Sequence, residues 1–150
     1  METFFATDPA QWGLLTLRIV LGLVILPHGA QKLLGWFGGN GFKGTMGFFT
    51  GALKIPAPAA LLVIVAEFFG ALGLIFGLFT RLDAVGIGLV MLGAAYIAHR
   101  PNGFFMNWSG KQKGEGFEFH ILAVGMALVL AVYGGGALSL DGWLPALFHG

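Results

Sequence analysis

The chain has 150 residues, 57% of them hydrophobic and only 10% charged, with a net charge of +1 and no cysteine. A soluble domain carries about 25% charged residues, so this chain cannot coat itself for water, and without a basic patch to pair with phosphates it is not expected to bind nucleic acid. The lack of cysteine removes thiol–disulfide chemistry, thiolate zinc sites and Cys-ligated iron–sulfur clusters.

The start, Met1-Glu2-Thr3-Phe4-Phe5, lacks the positive lead of a signal peptide, and the apolar run behind it is too long for one. That run is expected to stay as a spanning helix from about Trp12 to Leu34, with Trp12 and Trp36 as interfacial aromatics at its two boundaries. Arg18, Gly22, Ile25, Gly29 and Lys32 recur in it three or four residues apart. At ~100° per residue they form one stripe. A stripe that holds glycines and cations faces protein, because small residues let helices approach in lipid and charges avoid it.

Gly35 to Pro58 reads as a loop rich in glycine and aromatics, with Phe48-Phe49 expected on the membrane surface as a short amphipathic segment. Pro58 suits the first turn of a second span, about Ala57 to Phe79. Glu67 is the one ionisable group in that run. A charge at such depth costs about 2.5–3.5 kcal/mol on insertion scales unless something answers it. Thr80-Arg81-Leu82-Asp83 is expected to be a tight turn, followed by a third span of about Ala84 to His99. A second polar loop runs from Arg100 to Gly116, and a fourth span from about Phe117 to Tyr133 ends at Gly134-Gly135-Gly136. Trp143 then returns to the interface.

The expected architecture is all-α, an integral membrane antiparallel four-helix bundle forming a single transmembrane domain over residues 1–150. Its two polar loops carry Lys43, Lys54, Arg100, Lys111 and Lys113. The positive-inside rule places them in the cytoplasm of a bacterial cell and both termini on the periplasmic side of the inner membrane.

Arg18 is the leading partner for Glu67 in a structural ion pair, since a long Arg side chain reaches inward from an antiparallel neighbour. Such a pair either serves chemistry or only joins two helices. His28, Lys32, His99 and Glu118 fall within about two turns of the loop-bearing end, on three different helices. Their convergence predicts a polar pocket that holds a polar headgroup or passes protons. In that pocket His28, His99 and Glu118 are the candidate catalytic, proton-transferring groups. Lys32, Glu115, Phe104, Asn107 and Trp108 are the candidate ligand contacts. The plainer readings are a snorkelling Lys32, a helix-end His99, and Glu115 and Glu118 as charges favoured at a helix N-terminus. Phe104, Phe105 and Trp108 equally serve as interface anchors. His28 and His99 put one imidazole on each of two helices, as haem-binding bundles do. No further motif supports that, and neither haem nor metal is expected. His120 lies two residues from Glu118 and so points to another face of the helix.

Leu17-Arg18, Gly22, His28-Gly29 and Lys32-Leu33 in the first span resemble the opening of DoxX-family membrane proteins. So do Glu67, Gly70, Gly73 and Arg81, His99 closing span three, Glu118 opening span four, and Ser139-Leu140-Asp141. The resemblance runs from about Leu14 to Gly142. It implies a four-helix bundle in the cytoplasmic membrane and a link to redox chemistry, since related DoxD-type subunits belong to thiosulfate:quinone oxidoreductases. With no cysteine and no soluble sulfur-handling portion, this chain is not expected to oxidise thiosulfate by itself. The leading expectation is therefore a membrane redox subunit that binds quinone and takes electrons from a partner. The alternatives are a non-catalytic scaffold for a soluble redox enzyme and a small solute or proton transporter. A thin bundle is also compatible with a homodimer.

Overall fold

The computed structural model describes residues 8–148. They are all-helical, with no strand among them. Helix α1, Pro9–Leu33, starts three residues before the sequence-based expectation because Asp8 caps it: its carboxylate accepts from the Ala10 amide at 3.1 Å, and Pro9 takes the first helical position. Gly41–Gly47 forms a short α2, which continues through a wide π-turn over Phe48–Ala52. The glycine-rich loop is thus partly helical around Phe48-Phe49, as its amphipathic pattern suggested. Two long helices follow, α3 over Ala57–Phe76 and α4 over Thr80–Asn102. Helix α5 spans Glu118–Tyr133 and a short α6 spans Leu140–Phe148.

Helices α1, α3 and α4 are long and apolar enough to cross a membrane, whereas α5 is apolar but has only 16 residues. At 1.5 Å per residue that is about 24 Å, short of a ~30 Å hydrocarbon core. The third span is longer than the expected Ala84 to His99, because Thr80-Arg81-Leu82-Asp83 is the first turn of α4 and not a connecting turn. Helix α5 ends at Gly134, whose φ of +78° suits glycine and whose amide donates to the Leu130 carbonyl at 2.8 Å.

The stripe read from α1 is its buried face: Arg18, Gly22, Ile25 and Gly29 are all buried, and Lys32 is half-buried. Helix α1 lies against α3, and α4 packs on α5 and on the middle of α3. A Cβ at Gly29 would sit 2.6 Å from the Glu67 carbonyl, and one at Gly22 would sit 2.9 Å from the Ala71 carbonyl. These two glycines let the α1 and α3 backbones touch. Leu21, Ile25, Leu74, Ile87, Met91 and Leu130 fill the centre, while Leu62, Phe69, Phe76, Leu89 and Leu122 point outward. Outward apolar side chains are what a lipid-facing surface needs.

The turn from α3 to α4 is very tight, with Gly77 at φ +71° and Phe79 at φ +52°. Two distant side chains hold it. Arg18, only 1% exposed, donates to the Leu74 carbonyl at 3.1 Å, to the Ile75 carbonyl at 3.4 Å and to the Leu138 carbonyl. A cation there adds bonds to the last carbonyls of α3 and meets the negative end of its dipole. Asp141 of α6 accepts from the Phe79 and Thr80 amides, both at 2.8 Å, and so caps the positive end of α4. The Asp141 amide also donates to the Gly77 carbonyl at 2.8 Å.

Substitutions at three positions check this packing. Gly29→Leu should destabilise the bundle by about 1–3 kcal/mol through overpacking, seen as a lower Tm in detergent. Gly125→Ala, whose Cβ meets nothing within 4 Å, should leave the Tm unchanged or raise it. Asp141→Ala should cost about 1–2 kcal/mol as a lost helix cap, and Asp141→Asn, which still offers an acceptor, should recover part of that on the same measurement.

Candidate functional site

Glu67 sits in a π-helical turn, Ala66–Gly70, in the middle of α3. Its side chain is 4% exposed and is met by the ammonium of Lys32. The expected Arg18–Glu67 pair does not form. Antiparallel packing places Arg18 beside Leu74 and Ile75, seven or eight residues along α3 from Glu67, or roughly 10–12 Å. Lys32 starts about one turn beyond Gly29, which lies on Glu67. Helical side chains lean toward their own N-terminus, so the long Lys32 stem reaches back to the carboxylate. The ion pair expected at Glu67 exists, then, with a different cation.

A groove of about 1010 Å³ runs along the α3–α4 hairpin. Its walls are aliphatic and aromatic, and Gly70, Gly73, Gly86 and Gly93 leave the space between them. Phe48, Phe49, Leu53 and Ile55 close it at the loop-bearing end, and Phe76, Phe79, Leu82 and Leu140 at the turn end. Four ionisable residues line it: Lys32, Glu67, Asp83 and His99. Asp83 was not singled out from the sequence, because Thr80–Asp83 reads as turn chemistry when the remote Asp141 cap is not known.

His99 also lies in a π-turn, Ala95–His99, so two of the groove's titratable residues occupy local widenings of their helices. Such π-bulges are frequent at functional sites. His99 Nδ1 is 2.9 Å from the Glu115 carbonyl. A carbonyl only accepts, so Nδ1 carries the proton and Nε2 of the neutral ring is left as an acceptor. The His120 ring packs on His99 with centroids 4.2 Å apart and planes tilted by 44°. His120 is 6% exposed. Sequence reasoning separated it correctly from Glu118 but missed that its own face turns toward His99.

The remaining expected site residues divide. Glu118 Oε1 accepts from the Met106 amide at 2.9 Å and from the Trp108 indole at 3.2 Å. Glu115 Oε2 accepts from the Asn107 amide at 2.6 Å, and Asn107 in turn bonds Gln112 through both ends of its side chain. Phe104 packs edge-on against Phe105 and Phe117. These residues fold the Arg100–Gly116 loop upon the start of α5, and none of them lines the groove. His28 is exposed on the bundle surface and does not line it either. The single polar pocket expected from His28, Lys32, His99 and Glu118 is therefore two arrangements: Lys32 and His99 in the groove, Glu118 in the loop. His99 links them through the Glu115 carbonyl.

Removing the cation tests the pair. Lys32→Met should destabilise the protein by up to about 3 kcal/mol, because it leaves a buried carboxylate unanswered. The double variant Lys32→Met/Glu67→Gln should recover more than half of that loss, as read by Tm in the same detergent. Equal losses in the single and double variants would count against the pair.

The DoxX family model matches residues 13–100. "Putative oxidoreductase CatD" of Bacillus subtilis is 30% identical over 138 residues, covering 92% of this chain and 89% of that protein. "Inner membrane protein YphA" of Escherichia coli is 30% identical over 131 residues, covering 85% and 87% respectively. "Inner membrane protein YqjF" of the same organism is 29% identical over 129 residues, covering 86% and 89%. No solved structure matches the chain. The matched stretch takes in α1, α3 and α4 up to the helical residue after His99, and on that match the chain is a membrane protein of the DoxX family.

Proposed function

We propose that the chain is a membrane subunit of a redox system and holds a quinone-type ligand in the α3–α4 groove. The observation that carries this reading is the groove itself: a long apolar channel on the lipid-facing side, with Lys32, Glu67 and His99 placed in its middle and loop-side parts. Its volume lies at the upper end of the usual range for ligand pockets. An apolar tail would lie among Phe76, Phe79, Leu82 and Leu89, and a polar ring would lie toward Glu67 and His99. The oxidoreductase name of the Bacillus relative agrees with a redox role. The names of the two Escherichia relatives agree with placement in the bacterial cytoplasmic membrane. The lysines and arginine of the two loops support a cytoplasmic placement of those loops and the His99 end. Electrons come from a partner protein.

Mass spectrometry of small molecules that co-purify in mild detergent tests the reading. The wild-type protein should retain a membrane quinone. Gly93→Phe should lose most of it without unfolding, because Gly93 lines the groove and a Cβ there meets nothing within 4 Å. Wild-type protein that neither retains a quinone nor binds an added one would end the proposal.

A scaffold for a soluble redox enzyme is the second reading, and the ordered Arg100–Gly116 loop favours it. Glu115 and Glu118 tie that loop down, while Phe105 and Trp108 stand exposed upon it. This reading expects Gly93→Phe to be silent and Trp108→Ala to weaken association with the enzyme.

A further inference from the structure

We propose that the groove prefers the reduced, two-hydroxyl form of its aromatic ligand, a quinol, over the oxidised dicarbonyl form. This rests on the reading that the groove holds a quinone-type ring, and it adds the redox form that the site is built to recognise.

The argument is an inventory of donors and acceptors. At the loop-side end the groove offers His99, whose Nδ1 proton is committed to the Glu115 carbonyl. The free Nε2 of the neutral ring can only accept. In the middle it offers the Glu67 carboxylate, which only accepts, and the ammonium of Lys32, which that carboxylate already engages. Asp83 lies further along, toward the turn end. Between Glu67 and His99 the described side chains of the groove thus offer acceptors at both ends and one donor group, the Lys32 ammonium at Glu67. A quinone brings carbonyl oxygens, which only accept. Lys32 can answer one of them, but a carbonyl facing His99 Nε2 is left without a proton between the two atoms. A quinol brings an O–H to each end: one donates to His99 Nε2 and the other to Glu67.

The spacing suits a ring with polar groups at opposite ends. An added Cβ at Gly70 would meet Asp83 and Ile87 at 3.7 Å, and one at Gly86 would meet Ala66 at 3.5 Å, which sets Glu67 roughly level with Ile87. His99 lies further along α4, about 18 Å of rise from that level. Glu67 leans toward the N-terminus of α3 and His99 toward the N-terminus of α4. Because the helices are antiparallel, the two side chains lean toward each other and narrow the gap. A headgroup with one polar point reaches only one of them.

The test is a binding comparison on purified full-length protein in detergent, kept anaerobic. The probes are a decyl-tailed benzoquinone and the same compound chemically reduced to its quinol. The wild-type protein should bind the quinol about tenfold more tightly, the weight of one unmade buried hydrogen bond. His99→Gln restores a donor beside an acceptor, so it should bring the ratio toward one while both forms still bind. Glu67→Gln should lower the same ratio and serves if the His99 variant does not fold. Equal or tighter binding of the quinone to the wild-type protein would overturn this inference and leave the groove reading standing, as would a ratio unmoved in both variants. Failure of both forms to bind would overturn the groove reading and this inference together.

Discussion

Backbone groups at a helix end have no water to bond in hydrocarbon, and the hairpin of α3 and α4 exists because the chain supplies that bonding itself. Arg18 adds bonds to the last carbonyls of α3, and Asp141 answers the open amides of α4. Opposite charges thereby sit on opposite dipole ends, one on each side of a turn with positive φ at Gly77 and Phe79. Neither charge faces lipid. Arg18 comes from α1 and Asp141 from α6, so the two ends of the described chain meet at one turn. The groove between α3 and α4 is a consequence, because the hairpin angle fixed there sets how far the helices stand apart.

The second constraint is charge at depth. Glu67 is buried against α1, where Gly29 brings the backbones into contact. That closeness leaves no room for a bulky partner directly opposite. A cation one turn further along, leaning back, fits where one beside Leu74 does not. The π-turn at Ala66–Gly70 widens α3 at the same level. Glu67 therefore does two things at once: it closes the α1–α3 contact with Lys32, and it lines the groove on the α4 side.

What could be read from the sequence follows from the range of each interaction. The buried face of α1 was legible, since its residues repeat at helical spacing and the structure buries Arg18, Gly22, Ile25 and Gly29 together. The need for a partner at Glu67 was legible from hydrophobicity alone. Which cation meets it was not, because that depends on the register of two antiparallel helices joined by a long loop. The start of α4 at Thr80 was hidden for a similar reason: its cap is 61 residues away, on Asp141. The expected convergence of His28, Lys32, His99 and Glu118 divides in the structure, and Glu118, with Glu115, Asn107 and Trp108, joins local hydrogen bonding that folds a loop. Four titratable groups at one depth gave no means of telling a loop's own bonds from a ligand's. His120 was set aside on the periodicity of its own helix, when its contact to His99 is set by the packing of α4 on α5.

The family match helps to divide these roles. Residues 13–100 contain all four ionisable residues of the groove, Lys32, Glu67, Asp83 and His99, together with Arg18. Glu115, Glu118, His120 and Asp141 fall beyond it. The matched range thus spans the segments that carry these groove residues and the cation on one side of the turn. The later segments act on that unit from outside. Asp141 completes the turn, and the Glu115 carbonyl fixes the tautomer of His99. A movement of the Arg100–Gly116 loop that broke the His99–Glu115 bond would free the imidazole to present a donor to the groove. The hydrogen-bond character of the ligand site would then follow the state of the loop, which is also the surface a soluble partner would touch. On the proposed reading, ligand choice and partner contact would be coupled through one imidazole ring.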